Sequence, residues 1–167
     1  MDHDQSVDEF LRSIDEDYGY CKAIDELVPH ANDGNERATS WIIGMMGFDD
    51  WGVRICAMSA LGDIGNEQAV GALIEVIKDT VNGEDELVGA AISELGRIGD
   101  ERAVEPIIEV MKTHWGWSEV GPMAETVLKE ALDWELNDDV RDMVKSALAE
   151  KRPTFPTSSG PIPRRPW

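Results

Sequence analysis

Residues 53–78, VRICAMSALGDIGNEQAVGALIEVIK, recur at 87–112 as LVGAAISELGRIGDERAVEPIIEVMK. A shift of 34 positions lays Leu61 on Leu95, Gly62 on Gly96, Ile64 on Ile98 and Gly65 on Gly99. The same shift lays Ala69-Val70 on Ala103-Val104, Ile74 on Ile108, Glu75 on Glu109 and Lys78 on Lys112. A period between about 20 and 50 residues means stacked supersecondary units, because one unit cannot bury its apolar face alone. That constraint excludes most globular folds before composition is considered.

Each unit predicts helix, tight turn, helix. Val53, Cys56, Ala57, Ala60 and Leu61 form an apolar stripe at helical spacing, and Ala69, Val70, Leu73, Ile74 and Ile77 form the next. Gly62 and Gly65 are expected to flank the turn, with Ile64 plugging the gap between the helices. Ala57, Ala60, Ala90 and Ala91 let neighbouring helices approach closely. Upstream, GNERAT at 34–39 echoes GNEQAV at 65–70, with Pro29 and Asn32-Asp33-Gly34 marking the break in that unit. Ser6 with Glu9 suggests a capping box opening a helix through Val7, Phe10, Leu11 and Ile14 that covers the end of the stack. Residues 119–150 hold two further helical segments around ELNDD, and DDVRDMVKSAL at 138–148 fits either the opening or the closing helix of a unit. About four units are expected, the outer two irregular.

The phrases DDWGVR…ALGDIGNEQAV…LI and ELGRIGDERAV…II resemble the HEAT-like repeat family, including the short repeats of phycobilin lyases. The resemblance is strong over 21–112 and weak over 119–150. It implies an all-α fold, a short right-handed α-solenoid (α-α superhelix) whose second helices line a concave face and hold protein partners. Some members act on bilin chromophores; others are adaptors, regulatory subunits or inhibitors. The family's arginine near the start of the first helix matches Arg54 and Arg141, while Val88 occupies that slot in the third unit.

Thirty-four acidic residues against fifteen basic ones leave a net charge of −19. Such a field repels nucleic-acid backbones and anionic membranes and attracts basic proteins. The acidity also fits a solubility role in a salty medium. The chain opens on MDHDQSVDEF, without a basic and then apolar leader, and its longest apolar stretch, WIIGMMGF, is too short to span a bilayer. Cytoplasmic location is expected. Cys21 and Cys56 fall at apolar helical positions, which favours buried thiols over a disulfide.

No metal, nucleotide or hydrolase motif is present, and His3, His30 and His114 lack ligand spacing, so no cofactor or catalytic residue is assigned. The candidate site is a partner-binding surface. Glu75 and Glu109 recur on second helices, each followed by Lys78 or Lys112, either as solvated pairs or as a row contacting a basic protein. Glu67, Glu101, Glu105, Asp138, Asp139 and Asp142 would extend the row, and Trp115 and Trp117 in HWGWSEVGP would supply aromatic anchors. Trp41 is expected in the core, Trp51 between units and Trp134 in a structural position. Residues 1–150 form one repeat domain and 151–167, KRPTFPTSSGPIPRRPW, a proline-rich basic tail. That tail is either a free recognition segment or a strap on the acidic solenoid held by Phe155, Ile162 and Trp167. The leading expectation is a non-catalytic acidic adaptor or inhibitor, of the kind that neutralises a toxin. A bilin lyase or isomerase, and a halophilic scaffold, are the alternatives. The core positions of the cysteines count against bilin chemistry.

Overall fold

The computed structural model describes residues 3–14, 19–79, 85–114 and 118–150. Helix α1 is His3–Ser13, and two layers of helices follow it. The first layer is α2 (Tyr20–Asn32), α4 (Trp51–Ile64), α6 (Asp85–Ile98) and α8 (Val120–Glu130). The second is α3 (Glu36–Met45), α5 (Glu67–Lys78), α7 (Val104–Thr113, preceded by a 3-10 turn at Glu101–Ala103) and α9 (Asp138–Ala149). Successive helices within each layer pack side by side, so the chain is an all-α solenoid of four units. Helix α9 packs on α7 and α8, which settles it as the closing helix of the fourth unit. Among the described residues no helix is long and apolar enough to cross a membrane.

One continuous core runs the length of the stack, from Ile24 and Leu27 through Leu61, Leu73 and Leu95 to Ile107 and Leu128, all fully buried. Val7 of α1 is buried as well, and α1 lies against α3 with Asp8 paired to Arg37. Helix starts are fixed locally. Asn35, Asp50, Asn66, Asp100 and Asn137 each accept a hydrogen bond from a backbone N–H two or three residues ahead, at 2.9–3.0 Å. Such caps satisfy donors that have no partner inside the helix.

Several expectations need correction. Helix α1 begins before Ser6, so Ser6 lies inside it and opens no capping box. Pro29 sits inside α2 near its end, where losing one hydrogen bond is tolerated, and the chain reverses instead at Gly34, with φ of 89°. Gly65 and Gly99 do end their helices in the left-handed region, at φ 57° and 74°. Gly62, however, lies inside α4 and serves packing between units. A Cβ there would stand 2.1 Å from Glu94 Oε2 of α6, and its repeat mate Gly96 faces Val127 of α8 at 3.0 Å. Trp51 is 54% exposed and does not pack between units, because it occupies the first position of α4 and turns outward. Trp41 is half-buried against the core, and Trp134 lies over Gly99.

The cysteines are the largest departure. Cys21 of α2 and Cys56 of α4 form a disulfide, with Cα atoms 5.7 Å apart. Both are half-buried at the seam of two neighbouring helices, where their apolar positions bring them face to face instead of hiding them separately. A bond of this type is maintained in oxidising compartments, so it lends no support to the cytoplasmic expectation.

Candidate partner-binding surface

The second-layer helices begin on a ladder that joins one unit to the next. Asn66 caps α5 with its side-chain oxygen and donates through Nδ2 to the hydroxyl of buried Thr39 on α3, at 3.2 Å. One unit further, Arg102 reaches Glu67 at 3.3 Å while holding Asp100 at 2.7 Å. At the last junction Asn137 donates to Glu101 at 2.8 Å. The GNER, GNEQ, GDER and LNDD motifs thus supply both a cap and a rung. The Arg102 guanidinium, through its hydrogen bond, draws the Asp100 carboxyl below the usual range, against an opposing effect of partial burial.

Arg54 and Arg141 act in a related way. Arg54 Nε donates to the Met46 carbonyl at the end of α3, at 3.0 Å. Arg141 donates to the carbonyls of Leu132 and Trp134, after α8. Both guanidinium groups therefore satisfy carbonyls that a helix end leaves without intrahelical partners. In the first layer, Arg97 binds Glu94 at 2.7 Å and Asp63 at 2.8 Å and donates to the Ser59 carbonyl, tying α6 to α4. Sequence reasoning missed this clamp because Asp63 and Ser59 lie on a separate helix, α4.

Against this frame of internal contacts, the nominated acidic residues divide. Glu67 and Glu101 belong to the ladder while remaining exposed. Glu75 pairs with Lys78 at 3.1 Å and Asp142 with Lys145 at 3.3 Å, both one turn apart on their helices. Glu105 and Glu109 are exposed on α7, and Asp138 and Asp139 on the first turn of α9. Glu109 borders a shallow groove of about 210 Å³ between α5 and α7, with Ile77, Pro106 and Val110 as its apolar part and Lys78 at its edge. The repeat therefore leaves Glu75, Glu105 and Glu109 exposed on α5 and α7, with Glu109 alone of the three bordering the small apolar cleft. Trp115, Trp117 and residues 151–167 lie outside the described residues.

The described residues include no cluster of three or more His, Cys, Asp or Glu side chains arranged to hold a metal. What the surface offers chemically is a row of carboxylates interleaved with lysines, suited to complementary ion pairing. Residues 9–87 match the family model for HEAT repeats, and residues 87–113 match the model for the PBS lyase HEAT-like repeat. Comparison with curated proteins gives no match.

Proposed function

We propose that the chain, a HEAT-like repeat protein by its matches at residues 9–87 and 87–113, is a non-catalytic scaffold whose second helix layer holds a basic protein, as an adaptor or inhibitor. The observation that supports this reading is the repetition of exposed carboxylates on equivalent faces. Glu75 and Glu109 stand 34 residues apart on α5 and α7, and Glu109 borders an apolar cleft formed by Ile77, Pro106 and Val110. A partner placing basic side chains on the carboxylates and an apolar one in the cleft would gain both charge complementarity and desolvation. Glu105, Asp138, Asp139 and Asp142 extend the same layer, and Glu67 and Glu101 its edge. Trp115 and Trp117, in the connection after α7, are proposed as aromatic anchors at the rim. The net charge of −19 steers such a partner toward the surface and disfavours nucleic acid and anionic membranes.

The test is affinity capture from native lysate at two salt concentrations, comparing the wild type with Glu105→Lys/Glu109→Lys and with Trp115→Ala/Trp117→Ala. One stoichiometric basic protein, retained at moderate salt and lost with the variants, is the expected result. A mixture of basic proteins that disappears with salt from every sample would reduce the acidity to a generic property and reject the proposal.

A further inference from the structure

A second groove lies on the other side of the solenoid, between the first-layer helices α6 and α8. It encloses about 520 Å³, more than twice the cleft at Glu109. Gly89 and Ala90 of α6 and Val120 and Met123 of α8 form its apolar part. Gly89 leaves room that a side chain would fill, since a Cβ there would meet Met123 Sδ at 3.5 Å. Met123 is accordingly 38% exposed, a flexible thioether open to an incoming apolar group. Asp85, Glu86 and Glu119 rim the groove, and among the described residues that line it none is basic. The groove therefore differs from the second-layer cleft, where lysines stand among the carboxylates.

An occupant of this groove should be basic, apolar at intervals and inexpensive to order. Residues 151–167 meet all three conditions. They carry Lys151, Arg152, Arg164 and Arg165 with no acidic residue, and Phe155, Ile162 and Trp167 as separated apolar groups. Their five prolines restrict the chain before it binds, which lowers the entropy lost on docking. The tether is also in place. Helix α9 ends at Ala149, and Glu150 pairs with Lys112 near the end of α7 at 2.7 Å. Lys112 precedes Ser118, at the groove's edge, by six residues, a path of at most about 22 Å. Seventeen proline-rich residues reach roughly 50 Å when extended, well beyond that distance.

We propose that the α6–α8 groove is the seat of the chain's own segment 151–167, with Trp167 against Met123 and Arg164 and Arg165 at Asp85, Glu86 and Glu119. Docked there, the segment covers the acidic α6–α8 groove and leaves the second-layer surface open. A basic, proline-rich ligand from elsewhere would have to displace it.

The experiment uses the full chain labelled with ¹³C at methionine methyl groups, without any partner. The indole of Trp167 should displace the Met123 methyl resonance through its ring current. Trp167→Leu should abolish that displacement, and so should Arg164→Glu/Arg165→Glu. Charge reversal in the groove, Asp85→Lys/Glu119→Lys, should abolish it too, and combining both reversals should restore it. The resonance of fully packed Met58 serves as the check that each variant is folded. An unmoved Met123 resonance in folded Trp167→Leu and Arg164→Glu/Arg165→Glu chains would overturn the proposal. So would a displacement that fades on dilution, which would place the segment on a second copy. Because no basic partner is present, this outcome is independent of the adaptor reading.

Discussion

Removing the Cys21–Cys56 bond should weaken the fold by an amount that its position in the sequence specifies. The bond closes a loop with a sequence separation of 35. Loop-closure entropy for such a loop, 2.1 + 1.5R ln n, comes to roughly 13 cal/mol/K, or about 4 kcal/mol at 25 °C. For a chain of this size, 1 kcal/mol moves the melting midpoint by about 2–4 °C, so the double variant Cys21→Ser/Cys56→Ser should melt about 8–16 °C lower. The loss is regional. The loop contains α3, most of α2 and the beginning of α4, and in a solenoid each unit is stabilised chiefly by its neighbours. Amide exchange should therefore accelerate in residues 20–64 before it does in α8 and α9. Calorimetry and exchange on the oxidised wild type, the reduced wild type and the double variant provide the assay. The reduced wild type should behave like the variant. An intact mass showing two free thiols in unreduced protein, or a midpoint unchanged by reduction, would refute the reasoning.

Three other changes have definite expected outcomes. Leu95→Ala, at a fully buried position on α6, should cost about 3 kcal/mol in urea unfolding, and a cost below 1 kcal/mol would show that the site collapses freely. Asn66→Ala removes both the cap of α5 and the rung to Thr39 and should cost about 1–2 kcal/mol by the same measure, whereas Asn66→Asp, which retains the cap, should cost less. Asp100 has a lowered pKa from its contact with Arg102, so its contribution is complete above the ordinary aspartate range near about 3.9 and is lost as pH falls through the lower folded-state value. The melting midpoints of wild type and Asp100→Asn should differ at pH 7 and converge in strong acid; an undiminished gap would place the effect in packing instead of charge.

The architecture was legible because its signals repeat. Gly65 and Gly99 end equivalent helices in the left-handed region, and the GNE and GDE motifs place a capping side chain before each second helix. What stayed hidden depends on a second helix. Gly62 and Gly96 look like turn glycines until Glu94 and Val127 of the next unit are seen across from them. The cysteine pair did carry a usable signal. The offset of 31 between GNER and GNEQ leaves Cys56 four residues, one helical turn, beyond the counterpart of Cys21. Residues separated by about one repeat lie on adjacent helices of a layer, so that spacing favours a bond. The surface was readable only as a set of charges. Which carboxylates are engaged by Arg102, Lys78 or Lys145, and which border an apolar cleft, follows from packing that no local pattern encodes.

The covalent tie between α2 and α4 also gives the molecule a mechanical asymmetry. Under tension along the chain, the backbone between Cys21 and Cys56 is bypassed by the bond and bears no load. Thirty-five residues of backbone correspond to on the order of 120 Å of contour length. A stretched oxidised molecule can pay out the segments beyond the bond while withholding that length. Reduction releases it, turning a short tether into a longer one without cutting the chain.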